Sequence, residues 1–196
     1  MTAPTNVRTM IAAIAPYYGF GNSMPIFISS GKRSDYKKYA PLLFANLNSM
    51  ALDYILRQKV QGQNLNLFIL EQLPLIPPER FEDEIGGRKI ADFIRDEVLH
   101  LTWTAEDMRP FALDLGCDGE PFAWDAEDRR HRMARLDALF FHLYGIGRDD
   151  AAYILDQFPI VRADDEKEFG RYRTKDMILA YLNAIAAGDL ATRVNV

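Results

Sequence analysis

One short segment in the middle of the chain constrains the fold more than any other. It reads VQGQNLNLFILEQLPLIPPE and spans residues 60–79. Gly62 interrupts a helix, and Pro74 ends a short helix predicted over 67–72, because the residue before a proline disfavours helical backbone angles. The Pro77–Pro78 pair excludes a central β-strand, since proline cannot donate to a sheet. The segment is therefore predicted to be a polar turn, a short helix and a proline-limited extended stretch.

Short apolar runs separated by turn-forming residues precede this segment. Residues 9–16 (TMIAAIAP) and 26–29 are predicted to be strands, and a polar, basic loop is predicted over 31–39. A helix is predicted from Pro41 to about residue 58, because apolar residues recur there at three- and four-residue spacing. Residues 1–80 are therefore predicted to form a small mixed α/β part.

Amphipathic helices dominate the sequence after residue 80. They are predicted over 88–101, 104–115, 126–144, 150–158 and 174–187, with N-caps at Thr104, Asp125, Asp149 and Thr174. The acidic run at 164–166 is predicted to be a solvated turn. The predicted fold class is thus α+β, with a mixed α/β recognition part over 1–80 and a helical scaffold part over 81–196 packed on it.

Charge is divided unevenly between these two parts. Residues 1–80 hold eight lysines and arginines against four acidic residues, a net charge of +4. Residues 81–196 hold 15 basic and 24 acidic residues, a net charge of −9. The first part is suited to face phosphate, and the second to face solvent or protein. A composition of 48% hydrophobic and 26% charged residues is ordinary for a globular protein.

Apolar runs, cysteine and histidine content and the absence of known motifs exclude several classes of protein. No apolar run approaches the roughly 18 residues of a membrane-spanning helix. The single cysteine, Cys117, fits a cytoplasmic protein, and three scattered histidines give no structural zinc site. Neither GxGxxG nor GxxxxGK[ST] is present, and no Asn-Pro-Pro-aromatic motif marks methyl transfer to a base amine.

Residues suited to catalysis or metal binding form no set that predicts an activity. Cys117 lies in an acidic turn, where like charge disfavours the thiolate that a hydrolase nucleophile would need. Asp149 and Asp150 fit helix capping as well as a divalent-metal cluster, and the acidic run at 164–166 fits a turn. No catalytic residue, metal ligand or cofactor is predicted for this chain.

Residues 45–79, ANLNSMALDYILRQKVQGQNLNLFILEQLPLIPPE, resemble the C-terminal specificity region of large DNA adenine methyltransferases. These include type IIG restriction–modification enzymes and related phage-defence methylases. The shared order is a helix ending in Arg-Gln-Lys, a glycine-containing polar turn, a short helix, and then a Leu-Pro and a proline pair. A similar succession closes the target recognition domains of type I restriction specificity subunits. Softer similarity extends over nearly the whole chain, including NVRTMIAAIAP and the distal RRHRMARLDALFFHLYGIG.

The resemblance implies a DNA recognition module without its catalytic domain. Adenine methylation requires the base to be flipped, so a separate domain must grip the duplex and read base edges. S-adenosylmethionine would bind the missing catalytic domain, which is the expected partner besides duplex DNA. Whether the parent protein also cuts DNA stays open. The expected DNA-binding residues are Lys32, Arg33, Lys37, Lys38, Arg57, Lys59, Gln61, Gln63, Asn64 and Asn22.

Two alternatives remain at this stage. The acidic helical part is also suited to a non-catalytic protein–protein scaffold, with the positive charge of residues 1–80 incidental. The glutamines and asparagines of the polar turn are common turn formers, and the arginines at 129, 130, 132 and 135 are expected to make local ion pairs. Leu67, Ile69, Leu70 and Leu73 are expected to hold the turn in place.

Overall fold

Helices form most of the molecule. The computed structural model describes residues 6–16, 18–21, 26–28, 31–60 and 65–196. The described residues are 59% helical and contain one small two-stranded antiparallel sheet, consistent with a mostly helical α+β fold. The predicted strands are not formed, because residues 9–16 and 26–28 pair with no other described strand.

The elements follow one another in the order of the predicted amphipathic stripes, with short connections. A 3₁₀ turn at Pro78–Glu82 leads into the hairpin of β1 (Glu84–Ile85) and β2 (Arg88–Lys89), and another 3₁₀ turn at Glu106–Met108 precedes α5. Among the described residues the α-helices are α1 (Arg33–Leu47), α2 (Met50–Lys59), α3 (Leu67–Leu70), α4 (Ile90–Thr102), α5 (Arg109–Asp114), α6 (Ala126–Leu143), α7 (Arg148–Leu155), α8 (Pro159–Phe169) and α9 (Arg173–Ala186).

An elbow between α1 and α2 replaces the single helix predicted over 41–58. The basic loop predicted over 31–39 is also wrong, because α1 begins at Arg33 and Pro41 lies inside it. Asn48 ends α1, and the Ser49 hydroxyl accepts a hydrogen bond of 3.3 Å from the Leu52 amide. A serine that satisfies the first amides of a new helix stabilises a fresh start there. The apolar stripe continues through this break, so periodicity alone did not reveal it.

The core lies between α4, α6 and α9. Phe93, Leu139, Phe140 and Ile178 are fully buried in one cluster that also takes in residues of α1 and α2. The predicted N-cap of α6 is confirmed, since Asp125 accepts from the amides of residues 127 and 128 at 2.9 Å. One core therefore joins the residues before and after position 80.

Two corrections concern α7 and α8. Helix α7 begins at Arg148, with Gly147 and not Asp149 at the N-cap position. The acidic run at 164–166 lies inside α8 and is not a turn. Pro159 starts this helix at a position where its missing amide hydrogen costs nothing, and Gly170 ends it at a φ of 72°. No residue of α8 is buried, so the sequence carries no apolar stripe that would predict the helix.

Candidate nucleic-acid interface

A buried carboxylate, that of Asp53 on α2, holds the first described segment against the helices. Asp53 is fully buried and accepts a hydrogen bond of 2.7 Å from Arg8 Nε. The amide of Thr9 donates to both of its oxygens at 3.0 Å. Arg57 Nε, one helical turn further along α2, donates to Oδ1 at 3.3 Å. Two guanidinium groups and one amide hydrogen thus share a single carboxylate.

The side chain of Asn48, in the elbow between α1 and α2, extends this attachment. Its Oδ1 accepts from the Ala12 amide at 3.0 Å, and its Nδ2 donates to the Ala12 carbonyl at 3.1 Å. Arg8 also donates to the main-chain oxygen of Asn48. Such a reciprocal pair imitates one step of a β-ladder, so residues 8–12 have a fixed register on the elbow.

Asn46 ties the proline-containing stretch to the same elbow. It is almost completely buried, its Nδ2 donates to the Tyr144 hydroxyl at 2.7 Å, and its Oδ1 accepts from the Ile76 amide at 2.9 Å. Asp137 of α6 accepts from the first amide of α2, that of Met50, at 2.7 Å. Burial raises the pKa of Asp137 to about 6. The end of α6, the elbow and residue 76 are therefore joined by buried polar side chains.

No role is predicted from the sequence for the buried polar side chains of Asn46 and Asp53, although their positions in the sequence carry a signal. In the single helix predicted over 41–58, Asn46, Met50 and Asp53 are spaced by four and three residues and would share one face. That face is the apolar one. A polar residue on a buried face must be hydrogen-bonded, so its presence there marks a fixed contact between elements.

A small apolar cluster anchors both flanks of the polar turn. Val60, which ends α2, is buried, and its amide donates to Leu56 at 3.0 Å. Ile69 and Leu73, on the other side of the turn, are buried in the same cluster, with Leu70 packed against it, as expected. Leu67 is 65% exposed, so its expected supporting role is wrong. The predicted DNA contacts Gln61, Gln63, Asn64 and Asn22 lie outside the described residues.

The predicted basic contacts of residues 32–38 lie at the start of α1 and not on a loop. Lys32 is the N-cap residue and Arg33 the first helical residue. Lys37 pairs with Asp114 at 3.2 Å, and Lys38 with Glu82 at 3.0 Å. The hydrogen bond with Glu82 raises the pKa of Lys38 above its usual value. The Lys38–Glu82 pair is exposed on both sides and stabilises the fold little, so another anion can replace this carboxylate.

The two predicted contacts on α2 differ in accessibility. The Arg57 guanidinium lies 4.3 Å from the centre of the Phe158 ring. It also donates to the carbonyl oxygens of Asn6 and Val7 at 2.8 and 2.9 Å. Lys59 is exposed at the last position of α2 and makes no ion pair with another described residue. Lys59 is therefore the more accessible of the two for a phosphate, while Arg57 contacts protein.

Local ion pairs were expected for the arginines at the start of α6, and they are confirmed for Arg130 and Arg132 but not for Arg135, which pairs with a residue of α4. Arg132 pairs with Asp128 at 2.6 Å and, together with Arg135, with the buried Glu97 at 3.3 and 3.0 Å. Burial raises the pKa of Glu97, and the two guanidinium groups oppose that rise. Arg129 lies 3.8 Å from the Trp124 ring centre. These side chains therefore join α6 to its neighbours.

The residues considered for catalysis or metal binding lie apart from this region. Cys117 is partly buried and carries a free thiol. His131 Nδ1 is 2.7 Å from the Tyr181 hydroxyl, an arrangement typical of a core histidine. In the part of the chain that the structure describes, no cluster of His, Cys, Asp or Glu is arranged to hold a metal ion. Likewise, no helix within the described residues has the length and hydropathy needed to cross a bilayer.

The elbow between α1 and α2 therefore places the N-terminal segment, the exposed Lys59 and both flanks of the polar turn on one supported unit. Comparison with known proteins adds no relative to this description. No protein-family model matches the chain, and neither a curated protein nor a solved structure is similar enough to count as a match.

Proposed function

We propose that this chain is a DNA sequence-recognition module of a restriction–modification or phage-defence adenine-N6 methyltransferase. In the cytoplasm it would bind duplex DNA and position it for a catalytic domain that carries S-adenosylmethionine. Residues 1–80 would form the recognition part and residues 81–196 the scaffold part. The resemblance of residues 45–79 to specificity regions motivates this proposal, and the chain itself has no methyl-transfer motif.

The observation that carries the proposal is the support given to the polar turn. Both of its flanks are anchored in the cluster of Val60, Ile69 and Leu73, and the helix leading into it ends in the exposed Lys59. Loops that recognise ligands are typically short polar segments held on a rigid scaffold. Glutamine and asparagine side chains in such a turn are suited to pair with adenine in the major groove.

The start of α1 supplies a second, electrostatic argument. Lys32 and Arg33 stand at the positive end of the helix macrodipole, where a cation is unfavourable, and Lys37 and Lys38 follow within two turns. The positions of Lys32 and Arg33 are therefore unfavourable for α1 itself, whereas Lys37 and Lys38 make ion pairs with other elements. Phosphate oxygens of a DNA backbone would stabilise all of them.

Exposed apolar side chains before α1 fit the catalytic methyltransferase domain as the protein partner. Ile11 is 74% exposed, Phe27 60% and Ile28 81%. Burial of such side chains contributes roughly 25 cal/mol per Å² of apolar surface. In this proposal the segments predicted to be strands, 9–16 and 26–29, acquire partners from that domain.

Charge reversal tests the proposal. A variant with Lys32, Lys37 and Lys38 changed to Glu should lose duplex binding in a fluorescence-anisotropy titration at low salt. The control changes Arg109, Arg162 and Lys167 to Glu, which alters the net charge equally on exposed side chains of the second part. Equal loss in both variants would contradict the proposal, because the effect would then follow net charge alone. Circular dichroism establishes that both variants are folded.

A protein–protein scaffold remains the second candidate, and two exposed aromatic residues favour it. Trp124 is 68% exposed and Tyr153 60% exposed, both on the acidic second part. Aromatic residues are enriched at protein interfaces. Under this alternative, the charge-reversed variant of α1 would retain its partner, and changing Trp124 and Tyr153 to Ser would remove it.

A further inference from the structure

A cavity of about 550 Å³ lies between the start of α6, the start of α9 and the last residues of the chain. Three arginines line it, Arg171, Arg173 and Arg193, together with Glu127 and His131. The cavity thus presents three guanidinium groups and one carboxylate side chain, although residues 81–196 as a whole carry a net charge of −9. This excess of guanidinium over carboxylate groups among the lining side chains favours an anionic ligand.

Arg173 and Glu127 are held together in the lining of this cavity. Arg173 Nη1 donates to Glu127 Oε2 at 2.9 Å, and its Nη2 donates to the other carboxylate oxygen. This two-fold hydrogen bond holds the pKa of Glu127 below its usual range. His131 Nε2 lies 3.3 Å from the same carboxylate. The charge of Glu127 is therefore already balanced by Arg173.

Arg171 and Arg193 are held much more loosely. Arg171 Nη1 is 3.9 Å from Asp176 Oδ2, and Arg193 Nη1 is 3.3 Å from Asp128 Oδ1. Both arginine side chains are about half exposed, at 51% and 53%. Ion pairs between exposed groups contribute little to stability, so an incoming anion can replace these carboxylates.

We infer that this cavity binds a phosphate group through Arg171 and Arg193, above the Arg173–Glu127 pair. A guanidinium presents parallel N–H donors that match two phosphate oxygens, and a tetrahedral phosphate has enough oxygens for two arginines at once. The phosphate has two possible sources, a phosphate ester of a small molecule or the backbone of duplex DNA. The second source rests on the proposed function, and the first does not.

Inorganic phosphate is the first probe, added at constant ionic strength and followed by ¹H–¹⁵N NMR. Saturable shifts are expected at the amides of residues 171 and 193. Changing Arg171 and Arg193 to Gln should weaken this binding at least about tenfold, the effect of losing one charge-assisted contact. Changing Arg109 and Arg162 to Gln, which are paired surface arginines outside the cavity, should leave it unchanged. No saturable shift, or equal affinity in the cavity variant and the wild type, would overturn the inference.

Duplex DNA is the second probe and identifies the source. If the phosphate belongs to DNA, the cavity variant should reduce the slope of log affinity against log salt by about 1, because one phosphate contact is lost. An unchanged slope together with lost phosphate binding assigns the cavity to a small phosphate ester, and the inference stands. If the chain binds no DNA at all, the proposed function fails. The phosphate titration still determines whether the cavity binds phosphate.

Discussion

Replacing Asp53 by Ala should destabilise the protein more than any exposed charge change. Asp53 is fully buried and receives hydrogen bonds from Arg8, Thr9 and Arg57. Alanine would remove the acceptor that the Nε groups of Arg8 and Arg57 share with the buried amide of Thr9. Removing one partner of a buried ion pair typically costs about 3 to 5 kcal/mol. Arg8 is 21% exposed and Arg57 9% exposed, so hydration recovers part of this loss and we expect about 3 kcal/mol.

Urea denaturation measures the effect as a change in the free energy of unfolding. The variants are Asp53→Ala, Arg8→Gln and the double variant, which together form a thermodynamic cycle. The coupling energy between Asp53 and Arg8 should exceed about 1 kcal/mol, because the pair is shielded from solvent. A loss below about 1 kcal/mol for Asp53→Ala, the range of an exposed pair, would refute the idea that this carboxylate fixes the N-terminal segment.

Three further predictions concern the core and the turns. Asp137 has its pKa raised to about 6 by burial, so its stabilising contribution is complete below pH 4 and is lost as pH rises through 6. Between pH 4 and 7 the wild type should lose at most about 3 kcal/mol relative to Asp137→Asn, and parallel curves from urea denaturation would contradict this. Gly86 and Gly87 both have positive φ, but a Cβ on Gly86 would lie 2.3 Å from the oxygen of Gly188, and one on Gly87 would meet nothing within 4 Å. Gly86→Ala should therefore lower the melting temperature clearly more than Gly87→Ala, and equal effects would show that the close approach is not rigid. Asn46→Ala removes one acceptor and one donor from a buried site and should cost roughly 1 to 3 kcal/mol, whereas a neutral result in urea denaturation would mean that residue 76 is held by other contacts.

The helices with a buried apolar stripe could be predicted from the sequence. Helix α6 shows both its stripe and its aspartate cap in the sequence, and α4 and α9 show clear stripes. Helix α8 could not be predicted, because none of its residues is buried. The strand predicted over 9–16 is wrong because a short apolar run has no measurable period. Its contacts are instead made by the side chains of Asn48 and Asp53.

The basic residues of the candidate site could be predicted from the sequence, but the elements that carry them and their partners could not. The lysines at 37 and 38 are accessible, as a phosphate contact requires, but they lie on α1 and pair with carboxylates that are distant in sequence. The partners Asp114 and Glu82 could not be found without the tertiary structure. The inward direction of Arg57 likewise depends on Phe158, about a hundred residues away in the chain.

Binding of the wild-type chain to duplex DNA over a series of salt concentrations tests the central claim most directly. With three to five phosphate contacts, a slope of log affinity against log salt near −3 to −4 is expected, which corresponds to about a hundredfold loss between 50 and 200 mM salt. Reversal of Lys32, Lys37 and Lys38 should remove most of that slope. Absence of binding at the lowest salt concentration, or binding that does not depend on salt, would contradict the assignment of this chain as a DNA recognition module.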